Sequence, residues 1–70
     1  MAIILTKHAE QRLVERRIEK EEIIETIENF ERLEKRNDRF YCQKRFSRGS
    51  VEVIYKNIDN NIIVITAYWV

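Results

Sequence analysis

His8 is the only histidine in the chain, and Arg12 and Arg16 follow it at intervals of four residues. On an α-helix that spacing puts the three side chains in one row. Arginines so placed repel by a few tenths of a kcal/mol unless an anion lies between them. A phosphate is the anion that guanidinium forks suit best. A carboxylate of the chain itself fills the same place: Glu15 is three residues from Arg12, and Glu52 is a second candidate. Histidine titrates near neutral pH, so His8 is the candidate general base beside such a phosphate. The plainer reading makes it a polar residue on the first turn of a helix.

A second set of residues interleaves cations with aromatic rings: Tyr41, Arg45, Arg48, Lys56, Tyr68 and Trp69. Single-stranded RNA is held in this way, with cations on its phosphates and rings stacked on splayed bases at roughly 1–3 kcal/mol per stack. Metal-independent cleavage of RNA needs a base for the ribose 2′-hydroxyl, an acid for the leaving oxygen and cations on the phosphate. His8 would be the base, with Arg12, Arg16 and Arg45 on the phosphate and Tyr68 or Lys56 as the acid. Tyr41 or Tyr55 would stack a base, and Arg48 and Trp69 would add RNA contacts. Convergence of the helix row with the strand residues requires the helix to start at the rim of the sheet. Aromatic residues are also good strand formers, and Trp69 near the terminus equally suits a cap on the core. Cys42 shares its alternation with Phe40 and Phe46, so it reads as a small buried hydrophobe. No P-loop, Ser-His-Asp spacing or paired metal-binding motif is present, and neither cofactor nor metal is expected.

The rest of the sequence sets the frame for these groups. Seventy residues make one domain, 1–70, with 44% hydrophobic and 36% charged residues, one glycine and no proline. One cysteine excludes an internal disulfide, and together with one histidine it excludes a four-ligand zinc site. No apolar run approaches the length of a membrane span or a signal-peptide core, so a cytoplasmic protein is expected. The net charge of +1 hides a division: residues 1–34 carry −3 and residues 35–56 carry +5. A polyanion would be held by the second part and repelled by the first. A solvated surface of scattered ion pairs is the alternative.

Ala2 to Leu5 is long enough for a short strand, and Thr6 is a plausible N-cap for a helix through about Arg17. A second helix begins near Glu19, with Ile18 and Ile23 spaced as a hydrophobic staple and Glu22 in its first turn. Ile23, Ile24, Ile27 and Phe30 continue it as a core stripe, with Glu28–Arg32 and Glu31–Lys35 as supporting pairs. After a break at Arg36 to Asp38, Arg39 to Ser47 alternates, with Lys44 the misfit on its apolar side. Arg48-Gly49-Ser50 and Asp59-Asn60-Asn61 are turns, and Ile62 to Trp69 is apolar on both parities. The fold class is α+β: a short N-terminal strand, a two-helix hairpin and a three-stranded antiparallel meander. The first strand would run antiparallel to the last, giving a four-stranded antiparallel sheet with helices on one face. The opposite face would carry Tyr41, Gln43, Arg45, Ile54, Lys56, Thr66 and Tyr68.

The stretches Ile4-Leu5-Thr6-x-His8-Ala9-x-x-Arg12-Leu13-x-x-Arg16, Ile18-x-x-Glu21-Glu22-Ile23, Val51-Glu52-Val53-Ile54 and Ile63-Val64-Ile65-Thr66-Ala67-Tyr68-Trp69 form a familiar pattern. It resembles a prokaryotic family of uncharacterised domains of the form T-x-HA-x-x-R-x-x-x-R-x-I-x-x-EEI … L-x-V-V … V-I-T-V-Y. That family looks related to the RelE/ParE-like toxins of toxin–antitoxin modules, BrnT among them. This chain departs from the pattern at Glu19, where a small polar residue often caps the second helix, and at Arg17, where glycine often precedes the isoleucine. The resemblance implies a RelE-like fold and an endoribonuclease acting on RNA, including ribosome-bound mRNA. It also implies a cognate antitoxin as partner and a monomer or homodimer off the membrane. It transfers no catalytic residue. The other readings are a non-catalytic RNA- or protein-binding module of a mobile element and a gyrase-inhibiting ParE-like toxin.

Overall fold

The computed structural model describes residues 2–70. In chain order the elements are β1 (Ile3–Leu5), α1 (Lys7–Arg16), α2 (Lys20–Glu28), β2 (Arg32–Arg36), β3 (Arg39–Phe46), β4 (Gly49–Ile58) and β5 (Asn61–Trp69). Thr6 turns the chain from strand to helix, its hydroxyl accepting the Ala9 N–H at 3.0 Å. Ala9 and Leu13 are the buried seam of α1. The helix ends where Arg17 enters the left-handed region at φ 56°, while the Ile18 N–H reaches back to the Leu13 carbonyl at 3.0 Å. Glycine serves best at this place after a helix, because a Cβ makes the left-handed conformation costly. Arg17→Gly is therefore expected to stabilise the domain by about 0.5–1 kcal/mol, measured as a higher urea midpoint at unchanged slope; an unchanged or lower midpoint would show that the Arg17 side chain outweighs its backbone.

Glu19 caps α2 through its backbone: its N–H donates to the Glu22 carboxylate at 2.8 Å, and Ile18 and Ile23 are both buried as the staple requires. The helix stops at Asn29, earlier than the apolar spacing predicts, so Phe30 is 43% exposed and not part of the core stripe. The pairs Glu28–Arg32 and Glu31–Lys35 do not form. Residues 32–36 are instead a fifth strand whose every residue is exposed. With no buried face, β2 carries no alternation of apolar and polar residues, and its charges suit an edge that must not recruit other strands.

The sheet order is β1-β5-β4-β3-β2. Four strands form an antiparallel meander, while β1 lies parallel to β5, with Ile3 opposite Ile62 and Leu5 opposite Val64. The sheet is thus five-stranded and mixed, not four-stranded and antiparallel. Counting β2 reverses the inferred direction of everything after it, which corrects the orientation of the first strand. The turns follow from local chemistry: Asn37 (φ 57°), Asp59 (φ 50°) and Asn60 (φ 67°) take the positive φ that short hairpins need.

Both helices lie on one face of the sheet. The core there joins Ala9, Leu13, Ile18, Ile23 and Ile27 to Cys42, Val51, Val53, Tyr55, Ile62, Val64 and Ala67. A register shift opposite Ile54/Tyr55 moves β5 by one residue, so its helix-facing members are Ile62 and Val64 and then Ala67 and Trp69. This bulge explains the apolar run on both parities; it does not reflect cover on both faces. Lys44 points to the helix side and reaches Glu25 at 3.8 Å, which accommodates the misfit.

Candidate functional site

The face of the sheet away from the helices is built by register. Arg32 lies opposite Gln43, Gln43 opposite Glu52, and Glu52 opposite Tyr68, so four polar side chains form one row across β2, β3, β4 and β5. The next row holds Glu34, Tyr41, Ile54 and Thr66, and beyond it lie Arg36 with Arg39 and Lys56 with Ile63. Arg45, opposite Ser50, flanks the first row at its other side. The seven residues expected on this face are all there.

Glu52 is the centre of the first row. The Tyr68 hydroxyl donates to its Oε2, and the Gln43 Nε2 donates to its Oε1 at 2.6 Å. Burial, reinforced by the hydrogen bond to Glu52, pushes the Tyr68 phenol up to about 12, so it keeps its proton across the physiological range. Arg36 lies over the Tyr41 ring, 4.8 Å from its centroid, and is held by two hydrogen bonds to Glu34 Oε1 at 2.8 and 2.6 Å. Arg32, Glu34, Arg36, Tyr41, Gln43 and Glu52 line a shallow depression of about 100 Å³. Among the described residues, the guanidinium groups of Arg32, Arg39 and Arg45 have no carboxylate partner, although the Arg45 backbone N–H donates to Glu31 Oε1 at 3.0 Å; Lys56 reaches Asp38 at 3.5 Å.

The structure gathers Tyr41, Arg45, Lys56 and Tyr68 from the expected site and leaves the others elsewhere. His8 is exposed on α1 and makes no side-chain hydrogen bond among the described residues. Arg12 is paired with Glu15 at 2.8 Å, the internal carboxylate. Glu52 does not reach the helix row. Arg16 is spent on the edge of β5, donating to the Ala67 carbonyl at 2.8 Å and lying 3.4 Å from Thr66 Oγ1. It therefore reaches the rim of the open face, but the row behind it does not enter the site. Arg48 is on the helix side, bound to the Arg17 carbonyl at 2.5 Å and Glu22 at 3.0 Å and lying over the Trp69 ring. Trp69 is no base-stacking platform on the open face: it faces the helices and donates its indole N–H to the Arg16 carbonyl at 2.6 Å, capping α1. Tyr55 is a core residue, 6% exposed and stacked on Phe40 at 5.1 Å, and cannot stack a base.

Cys42 is fully buried, and burial pushes its thiol up to about 11, as befits a small hydrophobe. Among the described residues, no three His, Cys, Asp or Glu side chains come together to hold a metal ion. Among the described residues, no helix is long and apolar enough to cross a membrane.

Glu52, Gln43, Arg32 and Arg36 are the site residues that residue spacing did not single out for chemistry. Glu52 was legible, because it is out of phase with the buried Val51 and Val53. Arg32 and Arg36 were hidden by the helical reading of residues 29–35.

A family model described as a domain of unknown function, DUF4258, matches residues 5–69, and the chain belongs to that family. Neither a curated protein nor a solved structure matches it.

Proposed function

We propose that this domain is a RelE-like toxin-type endoribonuclease that binds single-stranded RNA on the open face of its sheet. The observation that carries the reading is the hydrogen-bonded row Gln43–Glu52–Tyr68, bordered by arginines that have no carboxylate partner. Glu52, in place of His8, is the general base. A 2′-hydroxyl placed at Glu52 gives its proton to the carboxylate and attacks the adjacent phosphorus. Arg45, at the flank of the row, neutralises the charge that grows on the phosphate oxygens, and Arg39 holds a neighbouring phosphate. Tyr68, still protonated at neutral pH, passes its proton to the departing 5′-oxygen and is reprotonated from Glu52. The products are a 2′,3′-cyclic phosphate and a free 5′-hydroxyl. Every group required is a proton carrier or a side-chain cation, so the reaction proceeds with a chelator present.

The division of charge supports the same reading. The carboxylates of α2 lie in the helix layer, and the free arginines line β2 and β3, so a polyanion approaches one face only. A cognate antitoxin is the expected protein partner, as the resemblance implies.

The test is purified protein incubated with single-stranded RNA and excess chelator. Fragments ending in 2′,3′-cyclic phosphate are expected. Bound but intact RNA would reduce the domain to a non-catalytic RNA-binding module, and loss of gyrase supercoiling without RNA binding would favour the ParE-like alternative.

A further inference from the structure

The depression beside Tyr41 holds a planar group in readiness. The Arg36 guanidinium lies over the Tyr41 ring at 4.8 Å and is fixed from the side by Glu34 at 2.6 and 2.8 Å. The Arg36 side chain is 63% exposed, so its outer surface is open. A guanidinium held flat in this way is a stacking platform for a nucleobase, with the tyrosine ring beneath it as the second layer. Both hydrogen bonds from Arg36 end on Glu34 Oε1, which leaves Glu34 Oε2 free. Arg32, two residues along β2 on the same face, has no carboxylate partner among the described residues.

The available groups therefore comprise a carboxylate oxygen that only accepts and a guanidinium that only donates, next to a platform. Of the four RNA bases, guanine alone presents two adjacent donors, N1–H and N2–H, beside an acceptor, O6. Adenine and cytosine offer a carboxylate one exocyclic amine, and uracil offers one ring N–H. Resting on the RNA-binding reading above, we infer that this depression is a guanine subsite: the base stacks on Arg36, Glu34 accepts from its N1–H and N2–H, and Arg32 donates to O6. Gln43 and Glu52 border the subsite, so the selected guanosine sits next to the cleavage centre and sets where the chain is cut.

The test uses 2′-O-methyl hexanucleotides, which bind without being cleaved: a uridine hexamer, and the same hexamer with one guanosine or one adenosine. The guanosine hexamer is expected to bind about tenfold more tightly than the other two, and Glu34→Gln to bring it within about twofold of the adenosine hexamer. Equal affinity for all three would overturn the guanine subsite and leave RNA binding standing. A preference that survives Glu34→Gln would overturn the assignment of Glu34. Failure of every hexamer to bind would remove the RNA-binding reading itself, and the subsite with it.

Discussion

Glu52→Gln should lower RNA cleavage by at least about 10², the lower end of what a positioned proton carrier supplies, while RNA binding is retained or strengthened. The amide keeps the shape of the carboxylate: its oxygen still accepts from the Tyr68 hydroxyl, and Gln43 need only turn its own amide to accept from the new N–H, so the sheet keeps its register. What it loses is the ability to accept a proton from the 2′-hydroxyl. Binding improves because a negative charge leaves a face that must hold phosphates. His8→Ala, by contrast, should leave cleavage within about twofold, since His8 is exposed on α1 and outside the row across the sheet. Cleavage rates and RNA affinities of the two variants, measured side by side, check this. A large loss in His8→Ala with none in Glu52→Gln would return the base to the helix row.

The residues explain which parts of this architecture could be read from the chain and which could not. Elements with one buried side were legible. Thr6 announced α1, Ile18 and Ile23 announced the staple of α2, and the alternation around Cys42 and Val53 assigned the two faces of β3 and β4 correctly. The composition of the open face followed directly, and so did the burial of Cys42. Elements without a buried side were not legible. β2 is exposed throughout, so nothing in its periodicity opposes a helix, and Glu28, Glu31, Arg32 and Lys35 imitate supporting pairs at helical spacing. Missing that strand altered the strand count, the direction of β1 and the inventory of cations on the open face. The bulge in β5 was equally silent, because one additional isoleucine in an apolar run leaves no mark.

The row Gln43–Glu52–Tyr68 was hidden for a different reason. Residues 43, 52 and 68 are far apart in the chain and meet only through the register of three strands. Spacing along one helix is easy to see, so His8, Arg12 and Arg16 drew attention, yet two of those side chains are satisfied locally by Glu15 and by the edge of β5. Tyr55, offered for base stacking, alternates with Val51 and Val53 on the buried side of β4 and packs against Phe40, so its phase in the strand already argued for the core.

Reversing two of the free arginines, Arg39→Glu with Arg45→Glu, should produce the largest effect on binding. Both are exposed, so the fold is expected to survive. If each holds one phosphate, the double variant loses two contacts. The slope of log affinity against log salt should then become shallower by about 1.4, twice the ~0.7 per phosphate that single strands show. Affinity itself should fall by about 10² or more at ~0.1 M salt, because each lost attraction is replaced by a repulsion. The deciding measurement is this salt titration of a non-cleavable single-stranded RNA on the wild-type domain and the double variant. The expected result is affinity that drops steeply with salt in the wild type and shallowly in the variant. Affinity indifferent to salt, or identical slopes in the two proteins, would contradict the claim that the open face holds an RNA backbone.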